Sequence, residues 1–250
     1  MSLARFFRPL LPDHVQPAAR YYFERWRRQL EPEIDFACRT VTAGQRFVDV
    51  GASWGIYTYA LARAGVEVEA FEPQPACCRI LDAYAARHPN VRVHRAALGA
   101  GDGSAVLHVP VIEGRLARTS ASLAHAAAGA GGETLDVDVR TLDSYEFSNV
   151  RAMKIDVEGA EVGVLRGAER TIQRHRPLLI IEIEQRHHAE PIDQVLARIT
   201  GDLGYDGHFL ETGVLRPLRV FDASRHQVVA SDGRPGARYI NNFIFIPRGS

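Results

Sequence analysis

Three acidic side chains of this sequence, Asp49, Glu72 and Asp156, stand at or near the end of a short apolar run. Runs of this kind are typical of strands that are buried on both faces of a parallel sheet. Open α/β sheets bind ligands outside the carboxyl ends of their strands, so these carboxylates are placed for chemistry rather than for packing. A carboxylate there can accept hydrogen bonds from sugar hydroxyls or take a proton from a reacting group. The pattern therefore predicts a ligand-binding sheet edge.

The turn after the first run, within residues 46–60 (RFVDVGASWGIYTYA), indicates the class of ligand. A dinucleotide fingerprint needs glycines at the first, third and sixth positions, where this chain has Gly51, Ser53 and Ile56. No lysine follows in the turn, as a phosphate-cradling loop would require. With Gly55 closing the turn, the pattern favours a ligand with an adenosine and a positive centre but no pyrophosphate. An ordinary strand-to-helix turn is the alternative.

Two further stretches fit an adenosine site. Glu72 stands 21 residues after Gly51 and is followed by Pro73. An acid at this distance can accept hydrogen bonds from both hydroxyls of a ribose. After a third expected strand, residues 91–95, the small residues around Ala97 leave room for an adenine ring, and a simple turn is the competing interpretation.

The candidate catalytic groups are Asp156, His187 and His188, which are expected at the carboxyl ends of strands. A histidine, with an ordinary pKa of about 6.5, suits the role of a general base near neutral pH. Each candidate has a structural alternative. Lys154 lies two residues before Asp156 on the same strand face and can pair with it. The two histidines can equally be a surface feature.

The rest of the chain predicts one α/β domain, residues 40–250, behind a helical extension, residues 1–39. Residues 14–40 of this region read as helical, and their aromatic and arginine side chains either pack on the core or form a basic aromatic face for a substrate or membrane. The connection 111–133, rich in Ala, Gly and Ser, predicts either a lid or a disordered segment. Further strands are expected at 104–110, 134–140, 152–157, 177–183, 205–210 and 239–246, the last two as an antiparallel hairpin with no helix between them.

Composition limits the classes of partner. Lys plus Arg and Asp plus Glu number 30 each, so no global field attracts nucleic acid. No run approaches about 18 consecutive apolar residues, so no membrane span is expected. Three cysteines, two of them adjacent, are a poor disulfide framework and indicate a cytoplasmic protein with reduced thiols. Asp156, Glu182 and Glu184 could supply metal ligands, but no spacing amounts to a metal signature, and none is predicted.

The order of these motifs resembles the FkbM family of methyltransferases over roughly residues 40–246. DVGASWGIYT and MKIDVEGAE are the most specific pieces. The resemblance implies a class I methyltransferase fold, a Rossmann-like sheet of seven strands with one antiparallel and with helices on both faces. It also implies S-adenosylmethionine as donor and O-methylation of a hydroxyl on a sugar, glycan or natural product. Cofactor contacts are accordingly expected from Asp49, Gly51, Ala52, Ser53, Gly55, Glu72, Pro73 and Ala97, and a site role from Asp156.

Two other classes stay open at this stage. A nicotinamide-dependent oxidoreductase shares the strand-turn-helix corner, although Ser53 and Ile56 stand where its glycines should be. A non-catalytic module would bind S-adenosylmethionine without turnover, although it would have little need of Asp49, Glu72 and Asp156 together. The sequence does not name the methyl acceptor or the oligomeric state.

Overall fold

A computed structural model describes residues 11–112, 115–116, 121–123, 132–229, 236 and 239–249 of the chain. It shows an α/β fold in which helices pack on both faces of a large, mostly parallel sheet. This fold class is the one that the sequence predicts. Most of the connection 111–133, expected to be a lid or disordered, lies outside the described residues.

The strands have these bounds: β1 Arg46–Val50, β2 Glu67–Phe71, β3 Val91–His94, β4 Ala97–Leu98, β5 Gly103–Ile112, β6 Arg115–Leu116, β7 Gly132–Arg140, β8 Val150–Ile155, β9 Leu178–Glu182, β10 Tyr205–Glu211, β11 Val214–Pro217 and β12 Asn242–Pro247. The α-helices are α1 Gln16–Trp26, α2 Pro32–Thr40, α3 Ile56–Ala62, α4 Pro75–Ala85, α5 Glu161–Gly167, α6 Glu169–His175, α7 Ile192–Gly201 and α8 Ala223–His226.

The large sheet has the strand order β11-β10-β12-β9-β8-β1-β2-β3. From β3 to β10 these are the seven strands expected, with β12 antiparallel to both of its neighbours. The count needs one correction, because β11 adds an eighth strand in the described part of the chain. β10 turns into β11 through Thr212 and Gly213, whose φ angles are 50° and 79°. Positive φ at both positions is the geometry of a tight hairpin turn.

The late strands also differ from the expected hairpin in one respect. β10 and β12 pair antiparallel, as predicted from the sequence. However, the prediction that no helix separates them is wrong, because the short helix α8 and the strand β11 lie between them in the chain. Asp222 caps α8 by accepting a hydrogen bond from the Ser224 amide at 2.9 Å. A cap of this kind indicates where a helix begins, but the helix is too short to show an apolar periodicity in the sequence.

The alternation of side chains along each strand builds two apolar layers. Phe47 and Ile180 belong to the layer that contacts α1, α2 and α3. Val48 and Ile181 point to the other face and pack with residues of α5, α6 and α7. Both layers are fully buried, which is why the central strands read as continuous apolar runs.

The region expected to be helical, residues 14–40, contains two helices, α1 and α2. Pro32 occupies the first turn of α2, where its fixed φ and missing N–H are tolerated. Tyr21 of α1 is buried in the core, as the packing interpretation predicts. Trp26 is 78 % exposed and Tyr22 52 % exposed, so the packing interpretation does not hold for these two aromatics.

A second, smaller sheet has the order β4-β7-β5-β6 and is inserted between β3 and β8. Its long strands β5 and β7 pair antiparallel and contain the strands predicted at 104–110 and 134–140. Ser122 pairs with His108 of β5 and donates a hydrogen bond from its hydroxyl to the Glu158 carbonyl at 2.6 Å. This sheet therefore contacts the loop after β8. No helix in the described ranges is long and apolar enough to cross a bilayer.

Candidate active site

The loop between β1 and α3 is built around Gly51, whose φ is 79°. A Cβ on Gly51 would lie 1.9 Å from the carbonyl oxygen of Asp156, so no side chain fits there. The Gly51 and Ala52 amides both donate to the Phe71 carbonyl at 3.0 Å, which ties the loop to β2. Gly55 caps α3 with φ 81°, and a Cβ there would meet an α4 side chain at 2.8 Å. Gly55 therefore shapes the turn and does not line the cavity.

The Glu72 carboxylate is held at the end of β2 by two main-chain amides. Its Oε2 accepts from the Ser53 amide and its Oε1 from the Gln74 amide, both at 2.8 Å. Burial raises the pKa of Glu72 to about 7, against the two amide hydrogen bonds, which favour the charged form. The Ser53 hydroxyl is buried without a hydrogen-bond partner among the described residues. Both side chains thus offer polar groups to a ligand.

Four polar side chains form one tier at the carboxyl edge of the sheet, namely Asp49 of β1, Lys154 of β8, Glu182 of β9 and Asn242 of β12. Asp49 is opposite Lys154, and Asn242 is opposite Glu182. Because β12 is antiparallel, it begins at the edge where the parallel strands end. Side chains alternate along a strand, so these four side chains lie on the same face of the sheet as the apolar layer that contains Phe47, one step further toward the carboxyl edge. The sheet register therefore assembles residues from four separate parts of the sequence.

Lys154 is the centre of this tier and is only 2 % exposed. Its Nζ donates to Asn242 Oδ1 at 2.7 Å and lies 3.9 Å from Asp156 Oδ2 and 3.8 Å from Glu182 Oε2. It also lies 5.6 Å from the centre of the Tyr57 ring. Burial lowers the pKa of Lys154, but Asp156 and further carboxylates outweigh burial and hold the pKa above its usual value. The ammonium is therefore charged at neutral pH.

Two aspartates of the site have raised pKa values. Burial raises the pKa of Asp156 to about 7, with Lys154 opposing the shift and Glu158 adding to it. Asp49 is 2 % exposed and accepts a hydrogen bond from the Thr58 hydroxyl at 2.6 Å. Burial raises the pKa of Asp49 to about 6, against that hydrogen bond. Asp156 is the more exposed of the two and can exchange protons with a ligand near neutral pH.

The two histidines proposed as alternative bases take a different position. His187 Nε2 lies 2.6 Å from Glu158 Oε2, and His188 Nε2 lies 3.1 Å from Glu161 Oε2. Pairing with Glu158 raises the pKa of His187. Neither imidazole lines the cavity, which Asp156 does line. The structure therefore brings Asp156 to the site and places the histidines against the chain segment that follows it.

A cavity of about 380 Å³ opens at this sheet edge, within the range typical of small-molecule sites. Its wall contains seven of the eight residues predicted to contact a cofactor, Gly55 being the exception. These seven are Asp49, Gly51, Ala52, Ser53, Glu72, Pro73 and Ala97.

The lining residues that were not predicted as site residues include four polar ones, namely Arg20 of α1, Glu31 before α2, Tyr57 of α3 and Asn241 before β12. The Tyr57 hydroxyl donates to Glu31 at 2.9 Å, and the Asn241 amide donates to Glu182 at 2.8 Å. Arg20, Glu31 and Asn241 carry no local signal, because each reaches the cavity only through long-range packing, whereas Tyr57 directly follows the cofactor turn in the chain. Within the described residues, no group of three or more His, Cys, Asp or Glu side chains is arranged to hold a metal ion.

The residues present fit S-adenosylmethionine. Glu72 holds a carboxylate ready for two ribose hydroxyls, and the Ser53 hydroxyl is available as a further polar contact. Gly51 leaves the main chain bare at the point where a ligand must approach closely. Together with the strand order, these features define a class I S-adenosylmethionine-dependent methyltransferase.

The family assignment follows from the sequence profile of the Methyltransferase FkbM domain, which matches residues 49–206. This match covers more than half of the chain, and the chain belongs to the FkbM methyltransferase family. S-adenosylmethionine is accordingly its cofactor, and the nicotinamide alternative is not supported.

One solved structure agrees with this fold, and a second aligns less well. A methyltransferase FkbM from Methylobacillus flagellatus KT aligns with 17 % identity and a TM-score of 0.51, covering 87 % of this chain and 51 % of that one. This chain thus spans about half the length of that protein. A TehB-like SAM-dependent methyltransferase from Corynebacterium glutamicum is 12 % identical, with a TM-score of 0.44 over 92 % of this chain and 98 % of its own. None of the curated proteins matches the sequence.

Proposed function

We propose that this methyltransferase acts on a hydroxyl oxygen of a sugar, a glycan or a hydroxylated natural product. The observation that carries the proposal is the Asp156 carboxylate, which lines the cavity and has a pKa raised to about 7. An aliphatic hydroxyl becomes a good nucleophile only when a base takes its proton, whereas a neutral amine needs no base to attack. A carboxylate with this pKa therefore suits an oxygen acceptor.

The proposed step is a single displacement. Bound S-adenosylmethionine would supply an electrophilic methyl group on a sulfonium and would keep the electrons of the bond that breaks. Asp156 would take the proton of the acceptor hydroxyl. Lys154 holds the charged form of Asp156 in place, and Glu72 fixes the cofactor through its ribose. A general base of this kind raises the rate about 10²–10⁴-fold. Positioning of the two reactants contributes at least as much.

The base role that the sequence suggests for His187 and His188 stays a prediction. In this proposal the pairs with Glu158 and Glu161 hold the segment that follows Asp156, and the histidines act through it.

We also propose that residues 1–39 are an extension that completes the site of a domain beginning at residue 40, because Arg20 and Glu31 line the cavity. We also propose a cytoplasmic location. Cys38, Cys77 and Cys78 are all free thiols, two of them buried, as expected in a reducing compartment.

A methyl-transfer screen tests the acceptor type. The protein is incubated with S-adenosylmethionine and a panel of sugars, glycosides and polyketide alcohols, each paired with its amine analogue, and S-adenosylhomocysteine release is measured. We expect release with hydroxyl compounds and not with the paired amines. Turnover of amines alone would contradict O-methylation. Tight S-adenosylmethionine binding with no turnover of any compound would instead favour a non-catalytic module.

A further inference from the structure

The composition of the chain singles out Lys154. It is the only lysine in the sequence, and arginine supplies the other 29 of the 30 Lys and Arg residues. Arginine therefore occupies every other Lys or Arg position of the sequence. The one exception is a buried position inside the cofactor cavity. At this position the chain carries a compact point charge rather than a planar guanidinium.

The ammonium is not neutralised by one partner but shared between two. Asp156 and Glu182 each place one carboxylate oxygen just under 4 Å from Nζ, beyond hydrogen-bond length, while Asn242 takes the one short hydrogen bond. One positive charge therefore stands between two negative ones. When both acids are ionised, this group of three carries a net charge of −1.

The rest of the wall adds to that negative charge. Only one other cationic side chain lines the cavity among the described residues, Arg20 of α1. Four further acidic side chains line the cavity around the Lys154 group, namely Glu31, Asp49, Glu72 and Glu158. The Tyr57 hydroxyl is the other titratable group on the wall.

We propose that the Lys154, Asp156 and Glu182 group makes the cavity select the sulfonium form of the cofactor, so that S-adenosylmethionine binds more tightly than S-adenosylhomocysteine. The inference rests on the proposed methyl transfer, in which the sulfonium must enter and the thioether must leave. The two ligands differ only by a methyl cation, so the ratio of their affinities isolates the interaction with that charge. The consequence is weak inhibition by the product.

The size of the effect follows from Coulomb's law. A unit charge about 10 Å away in surroundings with an effective dielectric constant of about 20 changes an affinity by about tenfold. Removing one carboxylate of the group therefore lowers the ratio by about that factor, and removing the ammonium raises it. Loss of packing does not change this ratio, because it lowers the affinity for both ligands together.

Calorimetric titration tests the proposal with S-adenosylmethionine, S-adenosylhomocysteine and sinefungin, which carries an ammonium in place of the methylsulfonium. Titrations are run at pH 8.5, above the pKa of about 7 to which burial raises Asp156. We expect wild type to bind the two cationic ligands more tightly than the thioether. Glu182→Gln lowers that preference about tenfold, Lys154→Met raises it, and the exposed Asp202→Asn leaves it unchanged. Only the ratio of the affinities for the charged and the uncharged ligand is compared between variants, so a general loss of affinity in one variant does not affect the result.

The failures are distinguishable. No binding of any of the three ligands by wild type would end the proposed methyl transfer itself. Equal binding of the charged and uncharged ligands by a wild type that transfers methyl groups would overturn only the charge selection. A preference unchanged in Glu182→Gln, or lowered in both variants, would overturn it as well.

Discussion

The main-chain oxygen of Asp156 occupies the space that a side chain on Gly51 would need, since a Cβ there would lie 1.9 Å away. The Asp156 amide also donates to the Val50 carbonyl at 3.0 Å, so β1 and β8 stay in contact beyond their last paired residues. The cofactor turn and the candidate base are therefore parts of one rigid junction. A change on one side displaces the other.

Gly51→Ala is expected to damage this junction. The added methyl collides with main chain that cannot yield, and alanine is strained at a φ of 79°. We expect loss of cofactor binding and a fall in melting temperature of several degrees, measured by calorimetry and thermal unfolding. Gly101→Ala is the matched control, because nothing lies within 4 Å of its Cβ position and its φ is ordinary. Normal cofactor affinity in Gly51→Ala would contradict the close approach described here.

Glu72→Ala should weaken binding of the cofactor, because it removes the hydrogen-bond acceptor for two ribose hydroxyls. A hydrogen bond to a charged group is worth about 1.5–3 kcal/mol, so the dissociation constant should rise about tenfold or more. Titration with S-adenosylhomocysteine measures the loss. Because burial raises the pKa of Glu72 to about 7, wild-type affinity should also decline as pH falls through 7. An Ala variant that is folded and binds normally would move the ribose site elsewhere.

Asp156→Asn separates catalysis from structure at the Lys154 pair. If Asp156 is the base, kcat should fall about 10²-fold or more on any acceptor found in the screen, while the fold and the affinity for S-adenosylhomocysteine persist. If the pair is structural, Asn leaves Lys154 with a weaker partner, and the melting temperature should fall first. Circular dichroism melting beside steady-state kinetics distinguishes the two. A stable variant with near-normal kcat would remove Asp156 from the mechanism.

Glu33 of α2 is expected to make the fold less stable at high pH. It is 4 % exposed, and burial raises its pKa to about 7 from the ordinary 4.5. The folded state therefore holds the proton more tightly than the unfolded chain, so stability is fully present below pH 4.5 and is lost as pH rises through 7. The difference corresponds to about 3 kcal/mol. Asp49, Glu72 and Asp156 add to it with the same sign.

Glu33→Gln should remove part of that loss, since a neutral amide needs no proton to stay buried. Melting temperatures at pH 5.5 and pH 8 are compared, and the wild-type decrease should shrink in the variant. Asp35 lies on the same helix but is exposed, so Asp35→Asn should leave the decrease in melting temperature between pH 5.5 and pH 8 unchanged. The idea fails if wild type melts at a higher temperature at pH 8 than at pH 5.5.

The cofactor half of the site could be predicted from sequence because its residues are neighbours in the chain. Gly51, Ser53 and Glu72 sit on one strand-turn-helix-strand unit, so their spacing fixes their geometry. The opposite wall could not be predicted, because it is assembled by long-range packing. Glu31 and Asn242 are 211 residues apart and meet at 3.3 Å only through the fold. No local pattern contains that information.

The fold shows the same division. Parallel strands with continuous apolar runs were identified because burial on both faces leaves a clear pattern. The edge strand β11 was missed because its exposed residues, Val214 and Leu215, do not alternate with polar ones. A turn of Thr212 and Gly213 also gives a weaker hairpin signal than asparagine or aspartate followed by glycine.

The single lysine has a practical consequence for following this protein in solution. The lysine ε-amine of a folded molecule is protected from acylation, because Lys154 is buried and charged. Unfolding exposes it. Acylation of this one lysine by an amine-directed reagent therefore marks opened chains and leaves native ones without a label at this residue. Mass spectrometry of a mixture then reports the population of open chains directly.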